Sequence, residues 1–305
     1  MEYKEFVDYI KKQTKRIAGK EKKVELTHII KNNDMEYDGI VILDKDDYIS
    51  PTIYLDYYYE EYREGKDIDS IVMEIMLAYE QNKDRIDIKP SDIYDFEAVK
   101  GRIMFKLVNS KKNTKLLSRL VHRPILDLEI VYYILFDEFE DGSITSLIYT
   151  NHMERWGVTE EDIYRLAYEN TRRVLGASIR RMDDIIKDIL FEQAGSNRQI
   201  YEETVEMLNM GCGIDMYVLT NDRKNLGAVS VLYTDILYEF AKKLERNLYI
   251  LPSSIHEVII IPKEEEYKKE DLSLMVNEIN STEVHPSEVL SENVYEYDYA
   301  SNRII

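Results

Sequence analysis

The densest succession of structural signals lies in residues 216–262, which read MYVLTNDRKNLGAVSVLYTDILYEFAKKLERNLYILPSSIHEVIIIP. A short apolar, β-rich run predicts a strand at residues 216–220. We expect residues 227–232 to form its partner strand, because the polar segment 221–225 between them has turn chemistry: Asn and Asp tolerate left-handed backbone and bond their own chain.

A helix and two more strands are predicted in the second half of this stretch. Thr234 begins a helix whose apolar residues recur on one face up to about residue 245. Strands are predicted at 248–251 and 255–261, with Pro252 starting the turn between them. The run at 258–261 within the last strand shows no alternation of polar and apolar residues, so both of its faces are expected to be covered, in the centre of a sheet.

The rest of the chain repeats this kind of pattern. A strand–strand–helix succession is predicted at 24–64 and at 128–175, in addition to the one at 216–245. The sequence therefore predicts an α+β fold, with antiparallel or mixed sheets built from strand–strand–helix units and packed helices.

Three regions are expected along the chain, with a single domain as the alternative. They are an N-terminal α+β region at 1–100, a central and C-terminal α+β region at 101–262 that contains a ββαββ unit at 216–262, and an acidic segment at 263–305. Regularly placed apolar residues in the acidic segment predict that it docks on the body, since a solvated tail would not need them.

Composition and charge exclude several classes of function. The 305 residues include 44% apolar residues and carry a formal net charge of −19. A nucleic-acid-binding protein needs cations to displace phosphate counterions, so we expect no nucleic-acid partner. The longest apolar runs are far shorter than the ~20 residues that span a bilayer, and the N-terminal residues lack the apolar core of a signal peptide, so we expect no membrane association.

Motifs for cofactors and metals are also missing from the sequence. The single cysteine, Cys212, rules out an internal disulfide or a cysteine-rich metal site and favours a cytoplasmic location. We find no glycine-rich nucleotide-binding loop and no histidine pair at metal-binding spacing, so we expect no cofactor and no metal.

Polar residues cluster at the ends of the predicted elements, and these are the candidate binding residues. If the helix from Thr234 returns the chain along the sheet, the turns at 221–225 and 252–256 emerge at one edge. A third polar turn, formed by His122 and Arg123, is expected to join them there and to complete a concave surface. The candidate residues are Asn221, Asp222, Ser253, Ser254, His256, Glu257, His122 and Arg123.

A catalytic interpretation of the same turn is the alternative. Ser253, Ser254, His256 and Glu257 provide hydroxyls, an imidazole and a carboxylate, which are the groups of a hydrolase that uses a serine nucleophile. In a strand, however, His256 and Glu257 point to opposite faces. No G-x-S-x-G elbow is present, so local hydrogen bonding at the turn and strand end is the competing interpretation.

Several segments resemble uncharacterised families. SPTIYLDYYYEEY at 50–62, HRPILDLEIVYYILF at 122–136 and LPSSIHEVIIIP at 251–262 resemble the bacterial family of unknown function DUF5688. The segment WGVTEEDIYRLAYENTRRV at 156–174 is similar to a second uncharacterised family, that of the bacillar protein YtpQ. These resemblances imply an intracellular bacterial protein that folds as one α+β unit, and they imply no activity, cofactor or catalytic residue.

Because no catalytic or cofactor pattern is recognisable, the sequence favours a non-enzymatic cytoplasmic bacterial protein whose unknown partner is another protein. The alternative is a hydrolase-type enzyme that uses the Ser253–Ser254–His256–Glu257 turn.

Overall fold

Helices and three antiparallel sheets make up the part of the chain that the structure describes, which confirms the α+β prediction. The structure is a computed structural model, and it describes residues 1–44, 50–85, 89–139, 142–194 and 214–305. Cys212 lies outside the described residues.

The first sheet belongs to an N-terminal unit with its own hydrophobic core. The strands pair in the order β1–β2–β3, and three helices cover the sheet with apolar residues such as Phe6, Ile10, Ile71 and Ile75, which are fully buried. The elements are α1 (Tyr3–Ala18), β1 (Lys23–Ile30), β2 (Glu36–Leu43), β3 (Thr52–Tyr54), α2 (Leu55–Arg63) and α3 (Ile68–Asn82).

The second sheet is built around one long strand. β4 pairs with one edge of β6, whereas β5 and β7 pair in succession with the other edge. The strands are β4 (Ile103–Asn109), β5 (His122–Ile125), β6 (Leu128–Phe139) and β7 (Gly142–Leu147). The accompanying helices are α4 (Pro90–Tyr94), α5 (Phe96–Val99), α6 (Thr114–Leu117), α7 (Thr150–Trp156) and α8 (Glu160–Leu175).

The third sheet has six strands in the order β13–β12–β10–β11–β9–β8. β12 and β13 come from the acidic C-terminal segment, and Tyr295 and Tyr297 of β12 enter the main core. The elements are β8 (Ser178–Arg181), α9 (Met182–Ala194), β9 (Tyr217–Thr220), α10 (Thr234–Leu244), β10 (Leu248–Leu251), β11 (Val258–Pro262), α11 (Lys269–Thr282), β12 (Tyr295–Asp298) and β13 (Arg303–Ile304).

The main core lies between the second and third sheets. Phe105 and Tyr132 from the second sheet, Ile163 from α8, and Ile250 and Ile260 from the third sheet are all fully buried in it. β11 lies between β10 and β9, which confirms the prediction that the apolar run at 258–261 forms a central strand.

The prediction of a strand at residues 227–232 is wrong, because this segment forms a 3₁₀-helix. Both edges of β9 are already occupied, one by β11 and the other by β8, so no edge is left for a hairpin partner. Leu226 adopts a left-handed backbone with φ of 52°, which turns the chain out of the strand direction. The 216–262 stretch is therefore strand–3₁₀-helix–helix–strand–strand, and its third strand–strand–helix unit does not exist.

A tight turn ties the N-terminal unit to the rest of the molecule. Asn33 and Asp34 adopt left-handed backbone, which Asn and Asp tolerate better than most residues. The Asn33 backbone N–H donates to Asn113 Oδ1 at 2.7 Å, and Asn32 Nδ2 donates to the carbonyl of Ser287 at 2.7 Å. Side-chain and backbone hydrogen bonds of this kind fix the N-terminal sheet beside β4 and the C-terminal segment.

The described residues contain neither a helix that could span a membrane nor a cluster that could hold a metal ion. Within those ranges no helix has the length and apolar character needed to cross a membrane. The same residues contain no group of three or more His, Cys, Asp or Glu side chains placed to hold a metal ion.

Candidate functional site

The turns at 221–225 and 252–256 meet in the structure. Thr220 Oγ1 donates to the carbonyl of His256 at 2.8 Å, and the Leu226 N–H donates to His256 Nδ1 at 3.2 Å. The Ala228 N–H also donates to the carbonyl of Ile255 at 3.2 Å. The expected juxtaposition of these two turns is therefore present, and hydrogen bonds between them hold it in place.

Asn221 and Asp222 stabilise the first turn. The Asn221 side chain is 1% exposed, and its Nδ2 donates to the carbonyl of Asn225 at 2.7 Å while its Oδ1 accepts from the Arg223 N–H at 3.0 Å. The Asp222 N–H donates to the carbonyl of Leu175 at 2.9 Å. The buried amide of Asn221 thus closes the turn, and this use leaves it with little capacity for a ligand.

The serines of the second turn are buried and engaged in local contacts. Ser253 is 8% exposed and Ser254 is 5% exposed. The Ser253 carbonyl accepts from the Leu290 N–H at 2.9 Å, and Ser254 Oγ accepts from the His256 backbone N–H at 3.0 Å. Both serines therefore connect the turn to the C-terminal segment.

His256 uses both of its ring nitrogens for partners other than the serines. Its Nδ1 accepts the Leu226 N–H, so in neutral histidine the proton lies on Nε2, which faces Glu288 Oε1 at 3.5 Å. A serine nucleophile needs a ring nitrogen on its hydroxyl, and both ring nitrogens of His256 have other partners. The described geometry therefore does not contain the hydroxyl–imidazole pair of the hydrolase hypothesis.

Glu257 lies just before β11, and its side chain lines a different cavity from that of His256. It lines a groove with Val218 and Ile259 of the third sheet, whereas His256 lines a different cleft. Burial raises the pKa of Glu257 and the negative charge of Glu288 adds to this effect, whereas His256 and a hydrogen bond with Ser254 oppose it. His256 and Glu257 therefore line different cavities, although Glu257 also contacts Ser254.

The expectation that His122 and Arg123 join these turns is wrong. His122 Nδ1 pairs with Glu129 at 2.9 Å, and Arg123 forms a bidentate contact with Glu160 at 2.7 and 3.0 Å. The Arg123 guanidinium also stacks 3.9 Å from the ring centroid of Tyr164. β5 belongs to the second sheet, where Arg123 links it to α8 and His122 links it to Glu129 of β6.

A cleft of about 380 Å³ lies between the N-terminal unit and the main body, and His256 is on its wall. Its volume falls within the range of about 300–1,000 Å³ that is usual for ligand pockets. We call it the Lys106 cleft. The residues that define it here are Lys31, Tyr37, Tyr54, Tyr57, Lys106, His256 and Glu288.

Lys106 occupies the centre of β4, within the otherwise apolar run IMFKLVN. It pairs across the sheet with Val131 and shares a sheet face with Val108, both of which are buried. The Lys106 side chain is half-buried, and no hydrogen bond or ion pair joins its amine to any described residue. Burial lowers the pKa of Lys106 to about 8, and the positive charge of Lys31 adds to this effect.

The acidic groups of the Lys106 cleft have partners other than the two lysines. Asp56 accepts from the Tyr3 hydroxyl at 3.1 Å through Oδ1 and from the Asp38 N–H at 3.1 Å through Oδ2. Glu288 faces His256. Lys31 lies with its amine 4.7 Å from the ring centroid of Tyr54. Lys31 and Lys106 are the lysines of this cleft, and an anionic ligand could pair with them.

Lys106 and Lys31 are not among the candidate residues predicted from the sequence. A charged residue in the middle of a strand whose neighbours are all apolar is a visible signal, because such strands are buried on both faces. Lys31 gives no comparable signal in the sequence, since it is 75 positions away from Lys106 in the chain and reaches the cleft through the hairpin turn.

Comparison with known proteins gives a family without an assigned function. The family of unknown function DUF5688 matches residues 3–299. No curated protein and no solved structure matches the chain. The similarity of residues 156–174 to the family of YtpQ stays a prediction. Because the match spans almost the whole sequence, the chain belongs to the DUF5688 family.

Proposed function

We propose that the chain is a non-enzymatic binding protein of the bacterial cytoplasm, and that it recognises an acidic side chain of a protein partner in the Lys106 cleft. The observation that carries this proposal is the unpaired amine of Lys106, on an apolar sheet face and beside a second lysine.

An ammonium group in apolar surroundings is costly for the folded protein unless an anion pairs with it. Among the described residues no carboxylate pairs with Lys106, although acidic residues are abundant in the chain. A residue that lowers stability in this way is a candidate for function, because active and binding sites are where such arrangements persist. A carboxylate from a partner would supply the missing charge.

The walls of the cleft favour an amphipathic ligand group. Tyr37 and Tyr54 form an edge-to-face pair with ring centroids 5.7 Å apart, and Tyr57 lines the same cleft. Tyrosine rings provide apolar contact area together with a hydroxyl for hydrogen bonding. The cleft volume suits a side chain and its neighbours, so a projecting acidic segment of a partner protein fits better than a flat protein surface.

The contacts of His256 support a binding role without catalysis, and the cysteine content supports the proposed compartment. The ring nitrogens of His256 are occupied by Leu226 and Glu288, so the imidazole has no free nitrogen directed at a serine. The single cysteine supports a reducing cytoplasm as the compartment.

The test is affinity capture from a bacterial host that carries this chain, with wild type, Lys106→Met and Lys20→Met as baits. Lys20 is exposed and lies outside the cleft, so its variant controls for the loss of one positive charge. Loss of one member of a buried charge pair costs about 2–5 kcal/mol, so the partner should bind Lys106→Met at least about 30-fold more weakly.

A soluble polyglutamate should also release the captured partner from wild type, since it presents the same carboxylates. The proposal fails if Lys106→Met captures the partner as well as Lys20→Met does, or if polyglutamate has no effect. Thermal denaturation of each bait shows whether it is folded.

A further inference from the structure

The amine of Lys106 has the accessibility and the surroundings of a nucleophile. It lines an open cleft, and neither a hydrogen bond nor an ion pair to the described residues holds it. Lys66 differs in this respect, since it contacts Glu61 at 3.0 Å and Glu74 at 2.6 Å. Those carboxylates keep the ammonium of Lys66 protonated.

We propose that Lys106 is an acylation site whose acyl donors are small acyl phosphates. The amine nitrogen attacks the carbonyl carbon of the donor, and a C–N bond forms. The bond between that carbon and the phosphate oxygen breaks, and inorganic phosphate leaves with the electron pair. The nitrogen loses one proton to water, so a neutral amide results and no oxidant or reductant is needed.

Protonation sets the first part of the selectivity. Since the pKa of Lys106 is about 8, about a quarter of the amine is neutral at pH 7.5, against about one in a thousand for an ordinary lysine. A less basic amine is also a weaker nucleophile, by analogy with thiols, where this offsets part of the gain. The expected net advantage is on the order of tenfold.

The position of Lys31 sets the second part of the selectivity for Lys106. A phosphate group is dianionic near neutral pH, and Lys31 is the second cation of the same cleft. A phosphate held by Lys31 brings the acyl carbon of a small donor close to the Lys106 amine, which raises its effective concentration. The cleft volume of about 380 Å³ admits such a donor.

Acylation would remove the positive charge of Lys106. If the proposed function is correct, the modified chain no longer pairs with the acidic group of its partner, so acylation switches binding off. The acylation itself needs no partner, and its test is independent of the capture experiment.

The experiment treats the full chain with acetyl phosphate at pH 7.5 and follows each lysine by peptide mass spectrometry over time. Lys106 should be acetylated on the order of tenfold faster than the exposed Lys20 and Lys111. Inorganic phosphate, which competes for Lys31, should slow acetylation of Lys106 and leave Lys20 unaffected. Lys31→Met should have the same selective effect.

Two outcomes would overturn the proposal. One is a rate at Lys106 that is equal to or below the rate at Lys20. The other is modification of Lys106 by acetyl coenzyme A with none by acetyl phosphate, which would assign a different donor class. Phosphate competition is measured on the unmutated chain, so a folding defect in the Lys31 variant does not affect that result.

Discussion

Replacing Lys106 with methionine should make the folded chain more stable at neutral pH. Methionine has a similar length, is unbranched and apolar, and fits the same sheet face beside Val108 and Val131. A stabilising substitution at a buried polar position is unusual, since most substitutions destabilise. The expectation rests on the absence of any described partner that the substitution would leave unpaired.

The magnitude follows from the pKa. A pKa of about 8 in place of 10.5 corresponds to about 3 kcal/mol of penalty on the charged form in the folded state. Because the side chain is only half-buried, solvent screening reduces this figure, and Lys106→Met should gain about 1–3 kcal/mol at pH 7.

The gain should depend on pH in a defined direction. Below pH 8 the lysine is protonated in both the folded and the unfolded chain, so the whole penalty is present. Between pH 8 and 10.5 the unfolded chain binds more protons, so wild-type stability rises relative to the variant. Above pH 10.5 the lysine is neutral in both states, and the advantage of methionine from this source disappears.

Urea denaturation at several pH values measures these differences, with Lys106→Arg as the control that keeps the charge. Arg should give no stabilisation at pH 7, because its charge remains throughout this pH range. A methionine variant that is less stable than wild type at pH 7, or whose stability difference does not change up to pH 10.5, would show that the amine is not held at a cost.

Two further substitutions test other parts of the fold. Gly227→Ala places a Cβ atom 2.2 Å from Thr220 Oγ1. Thermal denaturation should therefore show that this variant is about 1–3 kcal/mol less stable than wild type. Gly101→Ala is the control and should have little effect, because nothing lies within 4 Å of a Cβ atom at that position. Burial raises the pKa of Asp127, but hydrogen bonds, of which that from Tyr295 is the largest, outweigh burial and hold its pKa below the ordinary 3.8. The ionised carboxylate of Asp127 therefore stabilises the folded chain above pH 3.8, and this contribution is lost at lower pH. Asp127→Asn should be less stable than wild type at pH 7, and urea denaturation at acidic pH should show a smaller difference.

Several elements were predictable from local sequence, because their signals depend on neighbouring residues alone. The helix from Thr234 follows from the spacing of its apolar face, and it ends at Leu244, close to the expected position. The central strand follows from four consecutive apolar residues after Glu257.

Residues 227–232 show where such reasoning fails. A six-residue run that is apolar except for Ser230 and follows a polar turn is compatible with a strand or with a short buried helix. The choice depended on the neighbours of β9, which are β8 and β11 from other parts of the chain. Since these strands satisfy both edges of β9, the apolar run is buried as a 3₁₀-helix.

The candidate site likewise combines features that local sequence determines with features that depend on tertiary contacts. The sequence by itself determined that the turns at 221–225 and 252–256 are polar and that Lys106 interrupts an apolar strand. Only the tertiary structure decided that His122 lies in another cluster, that the His256 ring is used by Leu226, and that Lys31 lies in the same cleft as Lys106. The physical reason is that a pKa, an ion pair or a cleft depends on groups within a few ångströms in space, and in this fold those groups come from distant sheets.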